Sequence, residues 1–184
     1  PCVQVDPHRL ALVGSEDCLF LNIWRPVDAT GLDGLPVVIW IHGGGFSFGA
    51  GESEQLPSTH VYNGCQMAAK HGVIVVSLNY RLNIFGFATF VQKREFGFGT
   101  FAKPDVYDTH WGLKDQREGM RWVQRHVAAF GGDAGLVTLL GESAGGSSVY
   151  FHTVAPLSRG LFRAVIMQSG PYLSFPGSLA YPAA

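Results

Sequence analysis

Residues 132–151, GDAGLVTLLGESAGGSSVYF, contain the pattern that decides the fold. The apolar run Leu136–Leu140 predicts a β-strand, and a helix is predicted from Ser143 toward Pro156. Between them, residues 141–145 read Gly-x-Ser-x-Gly. A sharp turn from strand to helix needs small residues at both glycine positions, and it exposes the hydroxyl of the central serine. The stretch therefore predicts a nucleophile elbow with Ser143 as the nucleophile.

Further apolar runs on either side of this stretch predict the rest of a sheet. They are Cys18–Trp24, Leu35–Ile41, Val73–Leu78 and Ala164–Met167. Several are apolar on successive residues, as is typical of strands covered on both faces. A second helix is predicted at Leu113–Phe130, and Phe85–Tyr107 is predicted to be a long loop. Strands alternating with helices indicate one α/β domain over residues 1–184, with a mostly parallel sheet and helices on both faces.

A glycine-rich segment follows the predicted strand Leu35–Ile41. It reads His42-Gly43-Gly44-Gly45-Phe46, and three consecutive glycines leave backbone N–H groups uncovered, as an oxyanion hole requires. The alternative is a turn that only reverses the chain. A nucleotide site is disfavoured, since the sequence contains neither Gly-x-Gly-x-x-Gly nor Gly-Lys-Ser/Thr.

The composition describes a globular protein whose partner is a small molecule. Hydrophobic residues make up 47% and charged residues 15%, and the net charge of -1 gives no reason to expect nucleic acid or an anionic membrane. No apolar run approaches the ~18 residues of a membrane helix. The sequence has no Cys-x-x-Cys and no His-Glu-x-x-His, so no metal is expected. The chain starts without Met, which suggests a processed or partial sequence.

Six segments resemble those of the type-B carboxylesterase and cholinesterase family, in the family's order. They are Ser15–Pro26, His42–Phe46, Asn79–Arg81, Gly112–Arg117, Phe130–Gly145 and Gln168–Gly170. The resemblance implies an α/β-hydrolase fold and a serine carboxylic-ester hydrolase that uses no cofactor. It implies Ser143 as nucleophile and an oxyanion hole made by the N–H groups of Gly44, Gly45 and Ala144.

The spacing of the cysteines leaves two readings open, a bridge or two reduced thiols. Cys2 and Cys18 enclose 15 residues, and a bridge of that span would stabilise the fold by about 3 kcal/mol. The family resemblance implies the Cys2–Cys18 disulfide and leaves Cys65 as a buried or free thiol. It thereby favours an oxidising compartment, either secreted or in the lumen of the endoplasmic reticulum.

Other residues of the matched segments are expected to support the site. Arg81 and Asp115 match a structural salt bridge of the family. His42 and Glu142 lie beside the nucleophile and the glycine segment. Glu142 is expected either to adjust the electric field of the site or to brace the elbow as a hydrogen-bonded carboxylate.

Residues 1–184 do not contain the triad partners in the family's order of Ser, acid and His. No Asp or Glu follows Glu142, and the only later histidine, His152, is predicted to be a core or surface residue of the same helix as Ser143. The other candidates, His42, His110 and His126, precede the nucleophile. We therefore expect an N-terminal part of the domain, without the C-terminal strands and cap, whose acid and His lie beyond residue 184. Alone it is expected to be nearly inert and to pair with other chains through the edge strand Ala164–Met167.

The substrate class follows from a departure from the cholinesterases. They carry a choline-binding Trp inside the cysteine loop, but Val3–Asp17 contains no aromatic residue, which favours a generic carboxylesterase, with a small-molecule ester as substrate, over a cholinesterase. Phe85–Tyr107 is longer than the family's stretch, and it either shapes the entrance of the substrate gorge or is an insertion without a role.

Two alternative functions stay open. One is a non-catalytic adhesion or binding relative, which the intact Ser143 and glycine segments argue against; the other is a lipase, for which no lid-like amphipathic segment is seen.

Overall fold

The structure, a computed structural model, describes residues 1–31, 33–88, 90–92 and 106–170. Its strands and helices in chain order are β1 (Gln4–Asp6), β2 (Ala11–Val13), β3 (Leu21–Trp24), β4 (Leu35–Ile41), α1 (Cys65–His71), β5 (Ile74–Leu78), α2 (Asn83–Phe87), β6 (Phe90–Gln92), β7 (Val106–Asp108), α3 (Trp111–His126), β8 (Gly132–Glu142), α4 (Ala144–Val154) and β9 (Ala164–Gln168). Short 3₁₀ turns lie at Pro57–Tyr62, Val127–Phe130 and Pro156–Ser158.

The central sheet has five strands in the order β3-β5-β4-β8-β9. Four of its strands, β5, β4, β8 and β9, run parallel to one another, and β3 pairs with β5 in the antiparallel direction. Ile41 at the end of β4 pairs with Leu78 of β5 and with Gly141 of β8. The segments that follow β4 and β8 therefore leave the same edge of the sheet side by side.

The two faces of the sheet are covered by different helices. Residues that share one face, such as Val37, Ile39 and Val137, form a fully buried core with Met120 of α3 and Val149 of α4. On the opposite face, the ring of Trp40 contacts that of Tyr62, with centroids 5.1 Å apart, beside α1. The predicted mostly parallel sheet with helices on both faces is confirmed.

Several predicted boundaries were wrong. The strand predicted at Cys18–Trp24 is β3, which begins only at Leu21. The strand predicted at Leu136–Leu140 is β8, which is longer and runs the 11 residues from Gly132 to Glu142, because Gly132 already pairs with Leu35. The helix predicted up to Phe130 changes to a 3₁₀ turn after His126, and α4 begins one residue after Ser143.

The prediction of a long loop at Phe85–Tyr107 was also wrong in part. The short helix α2 ends at Phe87, and β6 and β7 form an antiparallel pair. Alternating apolar residues are weak signals in strands of only three residues, so sequence periodicity did not show the pair. Residues 93–105 of this segment lie outside the described residues.

The N-terminal loop is closed by the disulfide between Cys2 and Cys18, which the family resemblance implied. Both cysteines are buried, whereas Cys65 is a free, exposed thiol. Beside the disulfide, the amide of Gln4 accepts a hydrogen bond from Gly49 N–H at 2.7 Å and donates one to Gly49 O at 2.8 Å. The cysteine loop thereby fixes the chain just beyond the glycine-rich segment.

The disulfide predicts a measurable loss of stability when it is removed. Replacing Cys2 and Cys18 together by Ser should lower the free energy of unfolding by about 3 kcal/mol, because the unfolded chain regains the freedom of the closed loop. Cys65→Ser is the matched control, with an expected change within about 0.5 kcal/mol since its side chain is exposed. Urea denaturation of the protein expressed from its complete reading frame measures both. Equal stability of the double variant and the control would contradict the prediction.

Candidate active site

Ser143 occupies a strained backbone position between β8 and α4. Its φ of 55° and ψ of -119° lie outside the regions that non-glycine residues normally adopt. Hydrogen bonds hold it on both sides: its N–H donates to Gln168 O at 2.9 Å, and its carbonyl accepts from Ser147 N–H at 2.9 Å. The end of β9 and the first turn of α4 together fix this conformation, so the structure forms the predicted strand-to-helix elbow.

The elbow fits against β4 only because residue 145 is a glycine. A Cβ atom built on Gly145 would lie 2.0 Å from the carbonyl oxygen of Ile41, and one on Gly141 would lie 2.4 Å from the carbonyl oxygen of Gly145. Both obstacles are backbone atoms, which cannot rotate away as a side chain can. The two glycines of the motif therefore allow the backbone of the elbow to touch the end of β4.

The glycine-rich segment after β4 lies against the elbow. A Cβ on Gly43 would lie 3.2 Å from the Cβ of Ser143, which shows how closely the two segments approach. Gly44 has a φ of +103°, and a Cβ there would lie 2.1 Å from Phe48 O. In the described part of the chain, the N–H groups of Gly44 and Gly45 donate to no backbone carbonyl. These donors remain available to a ligand at the edge of the sheet.

Ala144 supplies a third N–H group at this edge. It is the first residue of α4, and the first N–H groups of a helix have no partner within it. The positive end of the helix dipole lies at the same place. Donors from two segments, together with a helix N-terminus, can stabilise negative charge that develops on a carbonyl oxygen attacked by Ser143.

His42 is buried beside the glycine segment and, in the described part of the chain, forms no hydrogen bond with Ser143. Its Nδ1 lies 2.8 Å from Gly43 O, and its ring stacks on that of Tyr80 with centroids 4.3 Å apart. The Tyr80 hydroxyl donates to His42 O at 2.8 Å. Burial lowers the pKa of His42 to about 4, so the ring is neutral at pH 7 and cannot act as a cation in the site. Tyr80 was not predicted as a supporting residue, although it lies in the matched segment Asn79–Arg81.

Glu142 lies half-buried under the same loop. Its Oε2 is 3.0 Å from where a Cβ on Gly43 would sit, so the carboxylate borders the glycine segment. After desolvation by burial, its negative charge is the second cause that raises the pKa of Tyr62. Glu142 is thus a source of negative potential next to the elbow.

Arg81 and Asp115 form a bidentate ion pair that ties the segment after β5 to α3. Arg81 Nε and a terminal nitrogen donate to the two carboxylate oxygens at 2.7 and 2.6 Å, and the backbone N–H of Arg81 adds a third bond at 3.1 Å. The Asp115 side chain is only 5% exposed, so the pair is shielded from solvent on the carboxylate side. Its contacts are with the fold and not with Ser143.

No hydrogen bond among the described residues links Ser143 to His110, His126 or His152. His152 is buried and bonds to Ser158 and Gln116, while His110 and His126 are exposed at the two ends of α3. Within the described residues, no imidazole or carboxylate forms a hydrogen bond with Ser143 Oγ. The described residues therefore place the Ser143 hydroxyl beside N–H groups that have no backbone acceptor, and no imidazole or carboxylate among them bonds to this hydroxyl.

A serine at a strand-to-helix elbow, beside a glycine segment with free N–H groups on a mostly parallel sheet, defines the α/β-hydrolase class. Comparison with known proteins narrows this class. The sequence model of the "Carboxylesterase family" matches residues 1–176. The chain therefore belongs to the carboxylesterase family.

Individual relatives agree with this assignment. The chain is 41% identical to human "Bile salt-activated lipase" over 174 residues, and 42% identical to pig "Liver carboxylesterase" over 167 residues. These matches cover 94% and 91% of the chain but only 22% and 26% of the two relatives, so the chain spans about a quarter of their length. A solved structure titled "thermophylic PNB esterase" superposes with a TM-score of 0.72 at 40% identity, covering 92% of the chain and 33% of that structure.

Two kinds of feature are absent from the residues that the structure describes. No helix among them is long and apolar enough to cross a membrane. No group of three or more His, Cys, Asp or Glu side chains in the same residues lies close enough to hold a metal ion.

The contact between Gly145 and Ile41 O predicts that Gly145→Ala is strongly destabilising. The added methyl must displace backbone, which should lower the free energy of unfolding by about 3 kcal/mol. Gly31→Ala is the control, since a Cβ there meets only Ala128 O at 3.7 Å. We expect the control to change stability by about 0.5 kcal/mol or less. A Gly145→Ala protein with wild-type stability in urea would show that the two segments do not touch.

The two buried histidines predict a loss of stability in acid. The pKa values of His42 and His152 are both lowered from 6.5 to about 4, chiefly by burial. The unfolded chain therefore takes up these protons below pH 6.5, and the folded chain does so only near pH 4. The free energy of unfolding is then highest above pH 6.5 and falls as the pH decreases toward 4, by about 1 kcal/mol per pH unit for each histidine.

Measuring the free energy of unfolding between pH 6.5 and 5 tests this slope. His152→Gln should reduce the slope by the share of one histidine, whereas the exposed His8→Gln controls for the loss of a surface histidine. If His152→Gln left the slope unchanged, His152 would not be held neutral in the folded protein.

Proposed function

We propose that this protein is a serine carboxylic-ester hydrolase in which Ser143 is the nucleophile. The observation that carries the proposal is the strained elbow, which positions Ser143 beside the unpaired N–H groups of Gly44 and Gly45 and at the N-terminus of α4. The family assignment gives the reaction class, because relatives at 41 and 42% identity are named as a lipase and a carboxylesterase.

The proposed reaction passes through an acyl-enzyme. Ser143 Oγ forms a bond with the carbonyl carbon of the ester while its proton moves to a histidine base. The carbonyl oxygen becomes an oxyanion that the N–H groups of Gly44, Gly45 and Ala144 stabilise. The C–O bond to the alcohol then breaks, and the alcohol leaves with the proton from the histidine. Water releases the acid by the same two steps and regenerates the serine.

We further propose that the histidine and its carboxylate partner lie beyond residue 184. The chain order of this class puts both after the serine, and no Asp or Glu follows Glu142 in residues 1–184. The much greater length of the relatives is consistent with this placement. Residues 1–184 alone would then keep only the acceleration of roughly 10³ to 10⁴ that an oxyanion hole and substrate binding provide.

The disulfide supports a proposed location in an oxidising compartment, either outside the cell or in the lumen of the endoplasmic reticulum.

The substrate we propose is a small carboxylic ester. A lipase acting on long acyl chains is the second candidate, favoured by the relative named "Bile salt-activated lipase". The ratio of hydrolysis rates for short-chain and long-chain esters distinguishes the two.

Covalent labelling of Ser143 tests the proposal. The protein expressed from its complete reading frame should react with an organophosphate, and peptide mass mapping should place one adduct on Ser143. Ser143→Ala should abolish the adduct and lower kcat for a nitrophenyl ester by at least about 10⁴-fold. Thr153→Ala removes another hydroxyl, on the exposed side of the same helix, and should leave labelling unchanged. A folded protein that forms no adduct on Ser143 would favour the non-catalytic binding relative instead.

A further inference from the structure

A continuous chain of buried hydrogen bonds runs from His152 to the first residue of α4. Ser158 Oγ lies 2.9 Å from His152 Nδ1, and His152 Nε2 lies 3.0 Å from Gln116 Oε1. Gln116 Nε2 then lies 3.0 Å from Ser148 Oγ, which is 2.9 Å from Ala144 O. None of the four side chains belongs to a residue more than 3% exposed. These hydrogen bonds thus join α3 to the N-terminal turn of α4 without contact with solvent.

The chemistry of the groups sets the direction of every bond. The Gln116 amide nitrogen can only donate, so Ser148 Oγ accepts from it and gives its single hydrogen to Ala144 O. The Gln116 oxygen can only accept, so His152 Nε2 carries the imidazole proton, and Nδ1 accepts from the Ser158 hydroxyl. Rotating the Gln116 amide by 180° would require the one Ser148 hydrogen to serve two oxygens. Burial and the nearby positive charge of Arg117 lower the pKa of His152, which agrees with a neutral ring.

The first turn of α4 lacks the usual stabilisation of a helix N-terminus. It contains Gly145 and Gly146, which have low helix propensity, and Ser143 at the N-cap makes no side-chain capping bond. A serine that attacks a substrate cannot use its hydroxyl to cap its own helix. The Ser148 hydroxyl reaches this turn from four residues further along, and Gln116 of α3 fixes the orientation of that hydroxyl.

We propose that Gln116, Ser148 and His152 are positioning residues that hold the Ala144 N–H in place for the oxyanion. This rests on the proposed function, since it assigns a task to the same site. The four bonds orient residue 144 through its carbonyl, and the N–H on the other side of that residue lies at the elbow. A polar cluster that only stabilised the fold would affect stability without selectively affecting the transition state.

Two variants disturb this series of hydrogen bonds in different ways. Gln116→Glu places a carboxylate oxygen opposite Ser148, so the Ser148 hydroxyl turns to donate to it and releases Ala144 O. Ser148→Ala removes the donor altogether. The full removal of an oxyanion donor lowers kcat by about 10² to 10³-fold, so partial misplacement should lower it by about 10-fold, with KM changed less than about twofold. His152→Gln retains an N–H donor toward Gln116 and should restore most of the activity that His152→Leu loses.

Matched controls separate positioning from stability. Gln124 lies on the same helix α3 and donates to Ala134 O at 2.8 Å and Leu161 O at 3.0 Å, away from the elbow. Gln124→Glu should lower stability and leave kcat close to wild type. Thr153→Ala removes a hydroxyl that donates to Tyr150 O on α4, and it should change neither quantity appreciably. If Gln116→Glu and Ser148→Ala kept wild-type kcat, or if Gln124→Glu lowered kcat equally, the proposal would be overturned.

A second measurement keeps this test apart from that of the proposed function. If the wild-type protein hydrolyses no ester, the proposed function is contradicted. NMR then tests separately whether Gln116, Ser148 and His152 hold Ala144 in place. In Ser148→Ala, the amide resonance of Ala144 should shift and its hydrogen exchange should become at least about 10-fold faster, while Thr153→Ala should leave both unchanged. An unaltered Ala144 amide in Ser148→Ala would show that the network does not hold this residue.

Discussion

The contact between two backbone segments at residue 145 is the constraint on which the site depends. The α carbon of Gly145 faces the carbonyl oxygen of Ile41 so closely that a methyl group would lie 2.0 Å from it. Ile41 is the last residue of β4 and pairs with Gly141, one residue before the end of the adjacent strand β8, so this pairing determines where both segments leave the sheet. The elbow and the glycine segment are adjacent for this reason.

Hydrogen bonds on both sides of Ser143 explain why its backbone strain is tolerated. An isolated turn would relax from a φ of 55°, and this relaxation would lower its free energy by about 1 to 3 kcal/mol. Here the serine is bonded to the end of β9 on one side and to the first turn of α4 on the other. The surrounding sheet and helix therefore fix the backbone of Ser143, while the N–H groups of Gly44 and Gly45 have no backbone acceptor among the described residues. Within the described residues, the strained Ser143 and the N–H groups of Gly44 and Gly45, which have no backbone acceptor, thus lie side by side at one edge of the sheet.

Sequence patterns predicted this part of the molecule well because the chemistry is local. Strand β4 was predicted with its observed bounds, and the elbow follows from five consecutive residues. The antiparallel direction of β3 was not predicted, since it depends on pairing with β5 and not on the residues of β3 alone. The bonds of His152 were also missed: its partner Gln116 is 36 positions away, and only the packing of α3 against α4 brings the two together.

A crystal structure of the protein after reaction of Ser143 with a phosphonate would test the central claim most directly. The phosphoryl oxygen of the adduct occupies the position of the oxyanion. We predict that this oxygen lies about 2.7 to 3.1 Å from the backbone nitrogens of Gly44, Gly45 and Ala144. An adduct on Ser143 whose phosphoryl oxygen points away from the glycine segment, or an adduct on another serine, would contradict it.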